Sequence, residues 1–336
     1  VNNAQPQRQV LNQIFGGSWI TQGIYVAAEL GIADLLADGP LSAAELAQKT
    51  NTHGRSLYRL LRALAGVGFF AQDSHRRFSL TPMAELLRSD VAESQRSFAM
   101  MIGAEFYETW GMLLHSVRTG EQGFFKRFGM PFFQYMTAHP ERHSIYDAAM
   151  VGVHGVETEP MLDAYDFSLF RSVVDVGGGH GLVLAAILNR HPAIQGILFD
   201  LPAVAERARA MSTSSGLSGR YEIVGGDFFS SVPVGADAYL LRHIIHDWED
   251  NEAIAILGKC REAMPPEGKV LVVETVIPPG NEPCFGKWLD LMMLLVGGCE
   301  RTEEEYSRLF SEAGLKLNRV VSTDSEVSVL EGIRQG

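Results

Sequence analysis

The chain has 336 residues, 46% hydrophobic and 20% charged, the balance of a globular enzyme with room for two domains. A net charge of −12 at pH 7 argues against a general nucleic-acid binder, which needs a basic face to neutralise phosphates. The three cysteines, Cys260, Cys284 and Cys299, form no CxxC pair, so neither a disulfide framework nor a zinc knuckle is indicated.

The opening VNNAQPQRQ is polar rather than a charged-then-apolar leader. The longest apolar runs, such as the one within Leu289 to Val296, fall short of the roughly 20 residues that span a bilayer. The expectation is a reduced, cytoplasmic protein that makes no use of a membrane.

Residues 1–165 read as nearly all helix. QVLNQIFGGSWITQGIYVAAELGIADLLADG carries apolar residues at helical spacing, with Gly31 and Gly39 as breaks. LSAAELAQKT follows, with Ser42 as N-cap and Glu45 three residues later, the signature of a capping box. SLYRLLRALAGVGFF makes a further helix that Gly66 and Gly68 end. FFAQDSHRRFSLTPMAELL then alternates like a short hairpin turning at Asp73 and Ser74.

Helix, helix and small β-wing is the winged-helix pattern. DNA contact is therefore a live alternative, because Arg55, Arg59 and Arg62 cluster on the second helix. The acidic total and the Leu57, Leu60, Leu61 and Leu64 face on that helix stand against it.

From about Phe170 the grammar changes to strand–helix alternation. RSVVDVG, QGILFDLP, RYEIVGGDFF, DAYLLRHIIH and GKVLVVETVIP read as five strands. LVLAAILNRHP, VAERARAMSTSSG and NEAIAILGKCREAMPP read as helices between them. Parallel strands need crossover helices, so this predicts a doubly wound, Rossmann-like α/β sheet over 166–336. The tail adds a helix, TEEEYSRLFSEAGL, and two strands joined at a polar turn.

The first of these strands ends in DVGGGHG, where Gly177, Gly179 and Gly181 let a ligand approach bare backbone N–H groups. The dinucleotide fingerprint wants glycine or alanine at position 182, which is Leu182 here. Asp200 closes the next strand, where a carboxylate can accept both hydroxyls of a ribose. Asp227 follows the third, where an acceptor can take an adenine amino group while Phe228 lines the ring. Singly each acid reads equally well as a cap or turn residue; three acceptor features at successive strand ends point to a nucleoside. No GxxxxGK[ST] loop is present, which argues against ATP or GTP.

VVDVGGGHG, FDLP, GGDFF, LLRHIIHDWED, VVVETVIP and GGCERTEEEY fall in the order found in a known family. The chain resembles the class I S-adenosylmethionine-dependent small-molecule O-methyltransferases, of the caffeate, flavonoid and acetylserotonin type with bacterial relatives. The resemblance covers nearly the whole chain, since that branch carries a helical, winged-helix-like dimerisation domain, here 1–165, ahead of its methyltransferase domain, here 166–336. It implies a homodimer, and S-adenosylmethionine held by Asp175, Gly177, Gly178, Gly179 and Gly181 at the aminocarboxypropyl end. Asp200 with Leu201 would take the ribose, and Gly226, Asp227 and Phe228 the adenine. Arg242, Asp247 and Trp248 complete the implied set, Asp247 alternatively bonding backbone or capping the next helix.

Methyl transfer from a sulfonium is an in-line displacement, so the enzyme must supply alignment and a nucleophile. A phenol with a pKa near 10 is mostly neutral at pH 7, and a histidine near 6.5 suits the task of taking its proton. If AYLLRHII is a strand, His243 and His246 project to opposite faces and cannot share one metal. His246 then lies at the ligand edge as the base, and His243 is a structural residue inside the sheet. The family implies two orienting acids, matched by Glu274 and Glu300. Glu274 stands out on its own, since a carboxylate after four apolar residues requires a partner.

A metal-dependent catechol-type enzyme is the alternative mechanism, with Asp247 and Asp250 available but no Asp–Asn pair beside them. A cofactor-binding regulator or scaffold that has lost catalysis is the alternative of another class. Phe106, Trp110, Phe133, Met150, Met292 and Met293 are candidates for walls around a flat aromatic acceptor, although each taken alone reads first as core, since helical spacing buries such residues anyway. Met150 and Met293 lie near where the family places ring-clamping methionines, and the tract before GGCERT is shorter than in plant members, which leaves the acceptor's identity open. Phe15, Trp19, Ile20 and Tyr25 are expected to pack across the dimer.

Overall fold

A computed structural model describes residues 4–336 except 92, 213–215 and 218. The chain folds as two compact units, Val1–Leu114 with Lys126–Gly155, and His115–Phe125 with Val156–Gly336.

In the first unit a long helix, Ala4–Glu29, precedes a short one, Ile32–Leu35. The expected capping box is present: the Ser42 hydroxyl accepts from the Glu45 N–H, and the Glu45 carboxylate accepts from the Ser42 N–H. It starts the helix Ala43–Thr50, and Gly54–Gly66 follows. Strands β1 (Leu41–Ser42), β2 (Phe70–Gln72) and β3 (Arg77–Leu80) form an antiparallel sheet in the order β1-β3-β2. Leu57, Leu61 and Leu64 are buried with Leu46, Phe70 and Phe78, while Arg55, Arg59 and Arg62 lie exposed on the opposite face of the same helix. The 3.6-residue period thus separates the two readings of that helix onto two faces.

In the second unit, seven strands form one sheet. They are β4 (Ser172–Val176), β5 (Gln195–Asp200), β6 (Tyr221–Gly225), β7 (Ala238–Arg242), β8 (Lys269–Glu274), β11 (Leu315–Ser322) and β12 (Ser328–Arg334). Two short strands outside it, β9 (Val276–Ile277) and β10 (Arg301–Thr302), pair in parallel. The order is β11-β12-β8-β7-β4-β5-β6, parallel from β8 to β6 and antiparallel at β12 and β11.

Alternate residues of the central strands face opposite sides. Val174, Val176, Tyr239, Leu241, Val270 and Val272 pack with Ile256, Leu257 and Phe310 on one side. Val173, Leu240, Leu271 and Val273 pack with Leu184, Ile187 and Leu188 on the other. Both faces are covered, which is why these strands read as apolar runs rather than alternations. The helix Thr158–Ala164 belongs to this unit, because Met161, Leu162 and Tyr165 join the second of these cores.

The helix after β5 runs Pro202–Ser212; its predicted continuation through Thr213, Ser214 and Ser215 lies outside the described residues. The three cysteines are free thiols. Among the described residues no helix is long and apolar enough to cross a membrane.

Between β4 and β7 the strand order reverses direction, and ligands of open α/β sheets bind beyond the carboxyl ends of the strands at such a point. Gly177 follows β4 there, and His243 follows β7.

Candidate active site

The loop after β4 is shaped by buried groups beneath it. A side chain at Gly178 would stand 2.4 Å from Asp175 Oδ2, and one at Gly181 would overlap the Tyr221 hydroxyl. Gly177, Gly179 and Gly181 all have φ between +57° and +74°, a left-handed region that glycine adopts without strain. The turn leads into the helix Leu182–Arg190, so Leu182 costs nothing where a dinucleotide motif would want a small residue.

Asp175 is buried under that loop, and its Oδ2 has no hydrogen-bond partner. Burial, with a smaller push from Asp200 and an opposing pull from Arg242, raises its carboxyl to about 7. Asp200 accepts from the Gly179 N–H at 2.8 Å and from the Leu201 N–H at 2.6 Å, which ties the ends of β4 and β5 together. Gly226 donates its N–H to the Asp200 carbonyl at 2.9 Å. Asp227 accepts from the Phe229 N–H at 2.9 Å and so also shapes its own turn. Phe228 and Phe229 meet Trp248 edge-on, at centroid distances of 6.0 and 4.7 Å, in an aromatic cluster beside these acids.

The stretch after β7 departs from the strand expected through Ile245. β7 ends at Arg242, His243 takes a left-handed φ of +53°, and Ile245–Asp247 form a single 3₁₀ turn. The pleat therefore stops before the histidines and cannot send them to opposite faces. Their rings stand 5.3 Å apart, and each Nδ1 lies 3.5 Å from the same oxygen, Glu274 Oε2. The separation that sequence periodicity predicts is corrected: donor atoms of His243, His246 and Glu274 lie within 4.8 Å of one another. In that group His246 Nδ1 is already engaged by Glu300.

His246 Nδ1 lies 2.6 Å from Glu300 Oε1. An ionised carboxylate only accepts, so Nδ1 carries the hydrogen and Nε2 is the atom that exchanges a proton. Glu274 ends β8 fully buried, and its Oε1 accepts from the backbone N–H groups of Ile244 and His246. Asp247 Oδ1 stands 3.6 Å from His246 Nε2, so this acid faces the imidazole as well.

Burial opposes the charged form of His246, but Glu274, Asp247 and Glu300 outweigh it and hold its pKa well above 6.5. Burial likewise pushes Glu274 up, yet the two histidines bring it below the ordinary carboxylate value. For Glu300 burial wins and its pKa is raised. These directions favour the protonated form of His246 and the charged form of Glu274 beside it.

The O-methyltransferase domain model matches residues 110–316, and the O-methyltransferase dimerisation model matches 12–90. The chain belongs to this O-methyltransferase family. The methyltransferase is 46% identical to the phenazine O-methyltransferase PhzM of Lysobacter antibioticus, over 98% of this chain and 96% of that one. A solved structure of the mitomycin 7-O-methyltransferase MmcR superposes with a TM-score of 0.92 at 36% identity, covering 98% of both chains. That of the O-methyltransferase NcsB1, from neocarzinostatin biosynthesis, gives 0.84 at 35% identity, covering 94% of this chain and 96% of that one. It holds S-adenosylmethionine and 2-hydroxy-5-methyl naphthoic acid.

The methyltransferase also uses residues that sequence reasoning passes over. Glu157, 7% exposed, accepts from Arg242 at 2.7 Å and sits 2.8 Å from His243 Nε2. Arg242 therefore belongs to a buried ion pair. Arg301, 1% exposed, donates to the carbonyls of Ile245, Trp248 and Cys299 and to Asp250, and so ties down the whole segment around His246. Cys299 donates its N–H to the His246 carbonyl, and a side chain at Gly298 would come within 2.1 Å of that oxygen. Asp290 accepts from the Glu300 N–H at 3.0 Å. The one signal in sequence was the GG pair before CERT, which marks a close backbone approach.

The methyltransferase divides its predicted acceptor walls between its units. Phe106, Trp110, Phe133 and Met150 lie in the first, where Phe106 is buried edge-on to Phe132 and Phe133 is exposed. Met292 and Met293 are buried on the helix Gly286–Val296 of the second.

Proposed function

We propose that this methyltransferase transfers the methyl group of S-adenosylmethionine to a phenolic hydroxyl of a small, fused-ring aromatic acceptor, with His246 as a metal-independent general base. The observation that carries this reading is the buried His246, engaged on Nδ1 by Glu300 and beside Glu274 at the mouth of the nucleoside-type strand ends.

The residues present fit the donor. The carboxylates gathered at this edge of the sheet, among them Asp200, Asp227 and Glu274, suit a sulfonium. Asp175 and the glycine loop would face its amino-acid end, with Arg242 behind them. Asp200 and Leu201 would meet the ribose, and Gly226, Asp227, Phe228 and Trp248 the adenine. Bound there, S-adenosylmethionine supplies an already activated methyl group. The protein's own work is then to align the acceptor and to hold a proton. Nε2 of neutral His246 takes the hydroxyl proton as the oxygen gains the methyl, and Glu300 and Glu274 stabilise the resulting imidazolium.

One relative is named for a phenazine and another for mitomycin, and one solved structure holds a naphthoic acid, which supports a fused-ring acceptor. We also propose a homodimer, supported by the dimerisation-domain match and by Ile14, Phe15 and Trp19, which are 66%, 61% and 76% exposed on the first helix.

The test is transfer from labelled S-adenosylmethionine to a panel of one-, two- and three-ring hydroxyl acceptors, wild type against His246→Ala. Wild type labels a fused-ring phenol, and the variant loses roughly 10²- to 10⁴-fold in kcat. Equal turnover by both proteins removes His246 from the mechanism.

A further inference from the structure

The proposed base has a second histidine beside it that the reaction does not use. His243 lies at the same distance from Glu274 Oε2 as His246 does, 3.5 Å, while its Nε2 meets Glu157 at 2.8 Å. One buried line of groups results: Glu300, His246, Glu274, His243, Glu157 and then Arg242. The left-handed backbone at His243 is what turns its ring onto this line. A histidine needed only to fill space would have no reason to share its carboxylate with the base, nor to take an uncommon φ to reach it.

We propose that His243 is a positioning residue for the base: anchored on Glu157, it holds Glu274 in place between two imidazoles and limits how firmly His246 retains its proton. The inference rests on the reading of His246 as the base. Its physical cause is competition. Glu274 alone beside His246 would favour the imidazolium strongly. A second imidazolium on the same oxygen draws on that carboxylate and repels the first.

Among the described residues, charged and titratable groups face the pair from several elements. Glu157 comes from the turn Gly155–Glu157, Glu274 from β8, Asp247 and Arg242 from the ends of the β7 segment, and Glu300 from the approach to β10. The Tyr306 hydroxyl, on the helix Glu303–Glu312, faces Glu274 and Glu300. Burial disfavours charge on His243, but Glu157 and Glu274 prevail and raise its pKa, which favours the charged form this role requires.

His243→Asn isolates the effect, since asparagine accepts the left-handed conformation and keeps polar atoms but has no charge. The pH profile of kcat/KM reports the free enzyme's base. Without the second cation His246 holds its proton to higher pH, and the acidic limb moves upward by about one unit or more. An unmoved limb, with or without a lower maximal rate, makes His243 a packing residue and overturns the inference. His246→Ala assayed alongside separates the two ideas. If it keeps wild-type turnover, the base reading falls and takes this one with it; if it collapses while the His243→Asn limb stays put, only this one falls.

A second measurement needs no variant. The ring nitrogens of wild-type His246, followed by NMR across pH, are expected to titrate in two coupled steps as His243 changes charge. Two independent single-step curves for the two rings overturn the proposal even if His243→Asn does not fold.

Discussion

Nδ1 of His246 and Oε1 of Glu300 stand 2.6 Å apart, although 54 residues separate them in sequence. The carboxylate both fixes which ring nitrogen carries the hydrogen and stabilises the imidazolium, two effects that a single substitution changes in opposite senses. In Glu300→Gln the charge is gone, so the raised pKa of His246 falls and the acidic limb of kcat/KM moves to lower pH. The maximal rate nevertheless drops, roughly tenfold or more, because the imidazolium is less well stabilised. A limb that stays where it is in wild type, with an unchanged rate, removes Glu300 from the site.

Asp200 holds the N–H groups of Gly179 and Leu201 and is the acceptor proposed for the ribose. Asp200→Asn keeps the shape but loses half of the acceptor capacity and the charge. Calorimetric titration is expected to show S-adenosylmethionine binding weakened about tenfold or more, the worth of one charge-assisted hydrogen bond. Affinity equal to wild type would count against this placement of the cofactor.

The convergence of His243, His246 and Glu274 makes a chelator experiment informative. His246 Nδ1 is already engaged by Glu300 at 2.6 Å, which leaves that nitrogen no place for a cation. Turnover is therefore expected to be the same with and without EDTA. Loss of activity in EDTA with recovery on adding magnesium would overturn the metal-independent mechanism.

Away from the site, Glu331 gathers Tyr165, Lys269, Asn318 and Arg319 around a carboxylate that is 1% exposed. Burial works against its charge, but these four donors prevail and bring its pKa down from 4.5 to about 2. A depressed carboxyl contributes stability that is present above its unfolded pKa and lost as pH falls through the folded one. Glu331→Gln should thus cost about 3 kcal/mol at pH 7. The deficit relative to wild type should shrink between about pH 4.5 and pH 2. Denaturant unfolding at several pH values tests it, and a deficit independent of pH would assign the loss to packing.

Much of this protein can be read along the chain. The strand–helix alternation from Phe170 onward, the capping box at Ser42, the turn at Asp73 and the glycine loop after Val176 are all local patterns, each set by residues within a few positions of one another. His246, Glu274 and Glu300 were found one at a time, from a strand exit, a carboxylate inside an apolar run, and a family resemblance.

What the chain could not disclose was how these residues meet. Period-two reasoning carried β7 through Ile245, but the strand stops at Arg242 and a left-handed step redirects both histidines to Glu274. Glu157 and Arg301 carried no local mark, because an acid in a polar segment and an arginine before EEE both look solvated. Each is buried only because the partners that compensate its charge come from distant segments, Arg242 and His243 for the one, Asp250 and the Ile245 and Trp248 carbonyls for the other. Sequence by itself determined the fold class, since that follows from periodicity, and it offered the nucleoside edge and His246 as proposals from residue chemistry and family resemblance. Tertiary structure decided which groups surround His246, since burial and distance exist only once the strands have been brought together.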